Sequence, residues 1–138
     1  QNIKKAKLNL QHFKNVKLIN KAVSNKNGYL KIGVEKTGRY SGIDCINPDY
    51  EKSFPSISID LLIKTALNKF KKIDLIKIDC EGAEKLFIPA LNQKNTEKIK
   101  IFICEGKKKN FLHLCNLGYK LSTIYEETKG DGVYYFMR

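Results

Sequence analysis

The chain has 138 residues, with 26 Lys or Arg against 14 Asp or Glu and a formal net charge of +12. That length supports one domain with a real core and is short for two. A composition of 42% hydrophobic and 29% charged residues is that of a globular domain, and it excludes a disordered tail or a collagen-like fibre.

A helix is predicted to open the chain, because Ile3, Ala6, Leu10 and Phe13 recur at helical spacing. Residues 16–23 read as a strand, and Asn25-Lys26-Asn27-Gly28 is a strong turn signal. Leu30, Ile32 and Val34 then alternate with Lys31, Gly33 and Glu35, the pattern of a half-buried strand. Together these predict a β-hairpin. Residues 36–54 are polar and aperiodic, which fits a lid or binding element and equally a disordered surface excursion. Arg39, Tyr40 and Tyr50 are available there for stacking and hydrogen bonding. Residues 24–54 are accordingly expected to form a hairpin and loop insertion, a candidate substrate lid on a single domain spanning residues 1–138.

A short strand at 56–59 is expected to end at Asp60, capping a helix over 61–70. Residues 73–79 read as a buried strand running into a helix through about Leu91. A second buried strand covers 98–105, and a short helix at 110–117 is stopped by Gly118. Strands at 119–125 and 132–137 close the chain as an antiparallel pair. Alternation of helices with continuous apolar strands predicts an α/β sandwich, its sheet covered on both faces.

The longest apolar runs fall short of the roughly 18 residues that cross a bilayer as a helix, and no cleavable leader pattern is visible. Only Arg39 and Arg138 are arginines, whereas readers of bases and phosphates lean on the arginine fork. The lysines are spread along the chain, so a solvated basic exterior is the favoured reading over a nucleic-acid surface. Cys45, Cys80, Cys104 and Cys115 include no C-x-x-C pair, and His12 and His113 are the only histidines. A zinc site therefore lacks its usual ligand spacing. Reduced thiols and a cytoplasmic location are the expectation.

The chemistry concentrates in Ile76-Lys77-Ile78-Asp79-Cys80-Glu81-Gly82-Ala83-Glu84. A strand delivers Asp79, Glu81 and Glu84 into the turn before a helix, beyond the strand's carboxyl end, where open α/β sheets bind ligands. The alternative is structural: Asp79 as a cap and the two glutamates as first-turn acids. Glu105 ends the next buried strand and would emerge beside Asp79 in a parallel sheet. Such a pair can bind a divalent cation or share a proton as acid and base. The competing reading is a strand-end acid facing Lys107-Lys108-Lys109.

The string Lys77-Ile78-Asp79-Cys80-Glu81-Gly82-Ala83-Glu84 resembles the hallmark of the FkbM-like, S-adenosylmethionine-dependent methyltransferases. Residues 19–24 followed by Gly28 are similar to that family's third strand and hairpin. Residues 56–62 resemble its next short strand and helix, and Gly118-Tyr119 the pair before its sixth strand. The resemblance implies a Rossmann-like class I sheet, mostly parallel, with an antiparallel C-terminal pair. It also implies methyl transfer from S-adenosylmethionine, most simply to a hydroxyl oxygen of a small molecule or glycan. On that resemblance Asp79, Glu81, Glu84 and Glu105 are the candidate catalytic residues, and Ala22, Val23 and Asp79 the candidate cofactor contacts. A divalent metal is an open addition.

The family's first two strands, with their glycine-rich loop, have no counterpart here, and Gly106 and Lys107 stand where its members usually carry a His. The expectation is the C-terminal part of a longer enzyme. In the family's strand order 3-2-1-4-5-7-6, the strands ending at Val23 and Asp79 would then each expose an edge. Low stability, or self-association through those edges, follows. One rival reading is a non-catalytic, methyltransferase-like interaction module; a basic nucleic-acid binder is the other, and it lacks the aromatic–basic interleaving of single-strand binders. Kinases and dinucleotide dehydrogenases are disfavoured because neither G-x-x-x-x-G-K nor G-x-G-x-x-G occurs.

Overall fold

The computed structural model describes residues 2–37, 41–43 and 45–138. Arg39 and Tyr40 of the expected lid lie outside the described residues. Helix α1 (Asn2–Leu10) leads into strand β1 (Ala22–Ser24), then β2 (Gly28–Val34), the short β3 (Ser41–Gly42) and β4 (Tyr50–Ser58). Helix α2 (Ile59–Phe70) precedes β5 (Ile73–Ile78), and α3 (Glu84–Phe87) and α4 (Gln93–Thr96) precede β6 (Ile99–Lys107). Helix α5 (His113–Asn116) is followed by β7 (Lys120–Thr128) and β8 (Asp131–Met137).

Two four-stranded sheets result, in the orders β1-β4-β2-β3 and β5-β6-β8-β7. The α/β class is as expected, but the sheets are mixed. Only β1 with β4 and β5 with β6 run parallel; β2–β3, β2–β4, β6–β8 and β7–β8 are antiparallel. The expected antiparallel C-terminal pair is present, whereas a mostly parallel sheet is not. The first hairpin is also corrected: β1 and β2 do not pair, because β4 lies between them. Asn27 explains the insertion, since its Oδ1 accepts the Ser58 N–H at 2.9 Å and Ser56 Oγ donates to the Lys26 carbonyl. The turn is thus stitched to β4 rather than closing a two-strand ribbon.

Other boundaries move for local reasons. The cap of α2 is Ser58, not Asp60: Ser58 Oγ accepts the Leu61 N–H at 3.2 Å. Asp60 sits in the first turn, where it pairs with Lys64 at 2.7 Å and accepts from Asn95 Nδ2 at 3.1 Å. Those bonds hold its carboxyl below the usual range. The helix expected to reach Leu91 keeps α form only to Phe87 and tightens into a 3-10 turn over Ile88–Ala90, because Pro89 has no N–H to donate. Residues 16–21, expected as strand, carry no regular structure.

The core gathers on the second sheet. Phe102, Cys104, Phe111, Leu114, Tyr134 and Phe136 are fully buried, with Phe87, Ile88 and Ile99 beside them. Each buried Phe, Leu or Ile among them contributes about 1.5–3 kcal/mol. Tyr119 stacks edge-on against Phe102 at 5.1 Å, and its hydroxyl lies 2.8 and 2.7 Å from the Thr96 and Ile99 carbonyls. The Arg138 guanidinium lies over the Tyr119 ring at 4.6 Å and donates to the Leu117 carbonyl.

Among the described residues β1 and β5 each have a single neighbouring strand and so keep one free edge. β5 is less buried than its sequence predicts, with Leu75 47% exposed. Beside that edge runs an apolar groove of about 1050 Å³, walled by α2 residues Leu62, Ile63, Ala66 and Phe70.

Candidate functional site

The carboxyl ends of β5 and β6 lie side by side. The parallel ladder pairs Ile78 with Cys104 as its last rung, so Asp79, just past the end of β5, comes beside Glu105, which stays within β6. β8 runs antiparallel to β6, pairing Glu105 with Val133 and Lys107 with Asp131, which brings its first residues to the same rim. Opposite, the end of β2 and the segment around β3 complete a cavity of about 460 Å³. Its lining includes Asp79, Glu81, Glu84 and Glu105, joined by Glu35, Glu127 and Asp131. Half of the acidic residues of a strongly basic chain therefore line one cavity, with Lys107 the cation among its described lining residues.

The turn after β5 is held in an uncommon conformation. Glu81 has φ 47° and Gly82 φ 93°, the left-handed region that suits glycine and costs a glutamate energy. The stabilising contacts come from Glu84, which is 3% exposed. Its Oε2 accepts the Gly82 N–H at 3.0 Å and its Oε1 accepts Asn110 Nδ2 at 3.1 Å. Gly106 lies against the same carboxylate at φ 127°, where a Cβ would come within 3.2 Å of Oε1. From β3, Gly42 packs on Glu81 so closely that a Cβ would meet the Glu81 Cβ at 2.8 Å and press into its carbonyl. The β3 segment and the acidic turn are thus in direct contact.

The electrostatics follow from this crowding. Glu81 is raised above the usual carboxylate range by desolvation first, then by the charges of Asp79, Glu105, Glu84 and Asp131. Lys77 Nζ lies 3.1 Å from Asp79 Oδ2 and 3.4 Å from Glu105 Oε2, and hydrogen bonds to these two acids raise its pKa. Burial pushes the Cys104 thiol up to about 12. Among the described residues Cys80, Cys104 and Cys115 are free thiols. Among the described residues no group of three or more His, Cys, Asp or Glu is arranged to hold a metal ion.

The structure thus brings Asp79, Glu81, Glu84 and Glu105 to one cavity. It does not bring Ala22 and Val23 there: both sit in β1, paired with Ser56 and Ile57, and Val23 packs on the core. Sequence reasoning missed Glu35, Glu127, Asp131 and the Lys77 bridge. The signal for Asp131 was present, since an antiparallel final strand must begin at the end where β6 finishes.

The profile of the methyltransferase FkbM domain family matches residues 3–127. No curated protein and no solved structure matches the chain. No helix among the described residues is long and apolar enough to cross a membrane.

Proposed function

Because the chain belongs to the methyltransferase FkbM family, we propose that it transfers methyl groups from S-adenosylmethionine to a hydroxyl oxygen of a small molecule or glycan. The observation that carries this reading is the cavity in which Asp79, Glu81 and Glu105 converge inside a domain of that family. The acidic walls suit a donor whose reacting centre is a sulfonium cation. When bound, S-adenosylmethionine supplies an activated methyl group with an excellent leaving group.

The work left to the protein is alignment and proton removal. Asp79 takes the acceptor hydroxyl proton; Glu81 and Glu105 hold neighbouring hydroxyls. Glu84 acts behind them by fixing the turn that aims Glu81. Ala22 and Val23 remain cofactor contacts on resemblance alone. The two sheets are read as the arms of a Rossmann-like class I sheet, with the free edges of β1 and β5 where the family's strand order has two more strands.

The test is Asp79→Asn in the full protein as its gene encodes it. Methyl transfer from radiolabelled S-adenosylmethionine to hydroxyl acceptors should be abolished, while S-adenosylhomocysteine affinity stays within a few-fold. Unchanged turnover rejects the role of Asp79. Absence of any cofactor binding favours the non-catalytic module instead.

A further inference from the structure

We propose that Lys77 is the built-in counter-ion of the acidic rim: a positioning residue whose ammonium bridges Asp79 and Glu105 and takes the place that a divalent cation would fill. The inference rests on the reading above only in treating this rim as the acceptor side of the site.

The geometry begins with strand periodicity. Residues two apart on a strand face the same side, so Lys77 projects on the side of Asp79. In the parallel ladder Lys77 pairs with Ile103, which sets Glu105 diagonally ahead on the neighbouring strand. One ammonium therefore reaches both acids, at 3.1 and 3.4 Å. Neighbouring strands lie about 4.8 Å apart, a separation at which two carboxylates repel unless a cation stands between them. Other negative groups crowd the cavity from the turn and from β8, namely Glu81, Glu84 and Asp131. An isolated ion pair on a surface contributes little. A lysine shared by two carboxylates differs in that its removal leaves those two charges facing each other, although all three side chains are roughly half exposed and the effect on stability stays small. A bound divalent ion would have to displace this ammonium.

Two measurements test the proposal without the acceptor. In the first, Mn²⁺ is titrated into isotope-labelled protein and broadening of the Asp79 and Glu105 amide signals is followed. Wild type and Lys77→Arg should show little site-specific broadening. Lys77→Met should bind Mn²⁺ roughly tenfold more tightly or better, as expected when a contacting like charge is removed from the site. Equal Mn²⁺ affinity in wild type and Lys77→Met overturns the proposal. In the second, amine acylation is mapped by mass spectrometry. Lys77 should react several-fold more slowly than the exposed Lys120, and Asp79→Asn combined with Glu105→Gln should remove the difference. Equal rates in wild type overturn the bridge itself. Neither readout involves the methyl donor. A protein that passes both but transfers no methyl group therefore refutes only the functional reading.

Discussion

Replacing Glu84 by Ala tests whether this one of the cavity's acids also builds the turn. Glu84 is 3% exposed and accepts two hydrogen bonds, from Gly82 N–H and Asn110 Nδ2. Hydrogen bonds to a charged group contribute about 1.5–3 kcal/mol each. Their loss is partly offset because a buried carboxylate no longer has to be desolvated. The expected net cost of Glu84→Ala is about 2–4 kcal/mol, a large fraction of the ~5–15 kcal/mol typical of a domain. Glu84→Gln should lose more than half as much, since its amide keeps one acceptor but turns an N–H₂ towards a donor. Asp79→Ala removes a part-exposed acid paired with Lys77 and should cost about 1 kcal/mol or less. Urea unfolding followed by circular dichroism measures all three. A Glu84→Ala variant within about 0.5 kcal/mol of wild type, the range of an ordinary surface substitution, would refute the assignment of Glu84 as the brace of the turn.

Gly42→Ala should destabilise by about 1–3 kcal/mol through overpacking against Glu81, read as a lowered melting temperature; an unchanged melt would mean that β3 does not rest on the acidic turn. Stability should also fall as pH rises. The buried Cys104 thiol ionises only near about 12, whereas in the unfolded chain it does so near 8.5. The contribution is therefore fully present below the unfolded value and is lost on the way up to the folded one, at up to about 1.4 kcal/mol per pH unit. Cys104→Ala should flatten that slope in urea melts taken between neutral and alkaline pH, although Tyr119, also raised by burial, leaves a residue of it. The free edge of β5, with Leu75 half exposed, should drive concentration-dependent self-association. Sedimentation velocity should show Leu75→Lys shifted towards monomer, because a charge on an edge opposes pairing; a wild-type chain that stays monomeric at every concentration contradicts this.

The parts of the fold legible in the sequence are those fixed by neighbours in the chain. Ile99, Ile101 and Ile103 announce β6, and Gly118, at φ 88°, stops α5. The string from Lys77 to Glu84 shows a strand turning into a helix with its acids in between. What was not legible depends on partners far along the chain. Val16 and Ile19 look like strand residues, yet they are 43% and 39% exposed in irregular backbone, since apolarity marks a wish for burial and not its location. The intrusion of β4 between β1 and β2 rests on Asn27 and Ser58, 31 positions apart, and no local pattern encodes it.

The same distinction governs the site. Asp79, Glu81 and Glu84 share one turn, so their proximity is a property of the string, and Glu105 follows if β6 is parallel to β5. Glu35, just past the end of β2, and Asp131, the first residue of β8, reach the cavity from elsewhere in the chain, and their presence depends on strand direction and order. β6 ends at the rim while β8 begins there, so an acid at the start of one and an acid at the end of the other point to the same space. Sheet direction thus converts scattered charges into one field. It also brings Lys77 within reach of Glu105, a contact that exists only because two parallel strands are in register. A one-residue slip of β6 would turn Glu105 to the opposite face, which ties the integrity of the acidic rim to the packing of Phe102 and Cys104 in the core behind it.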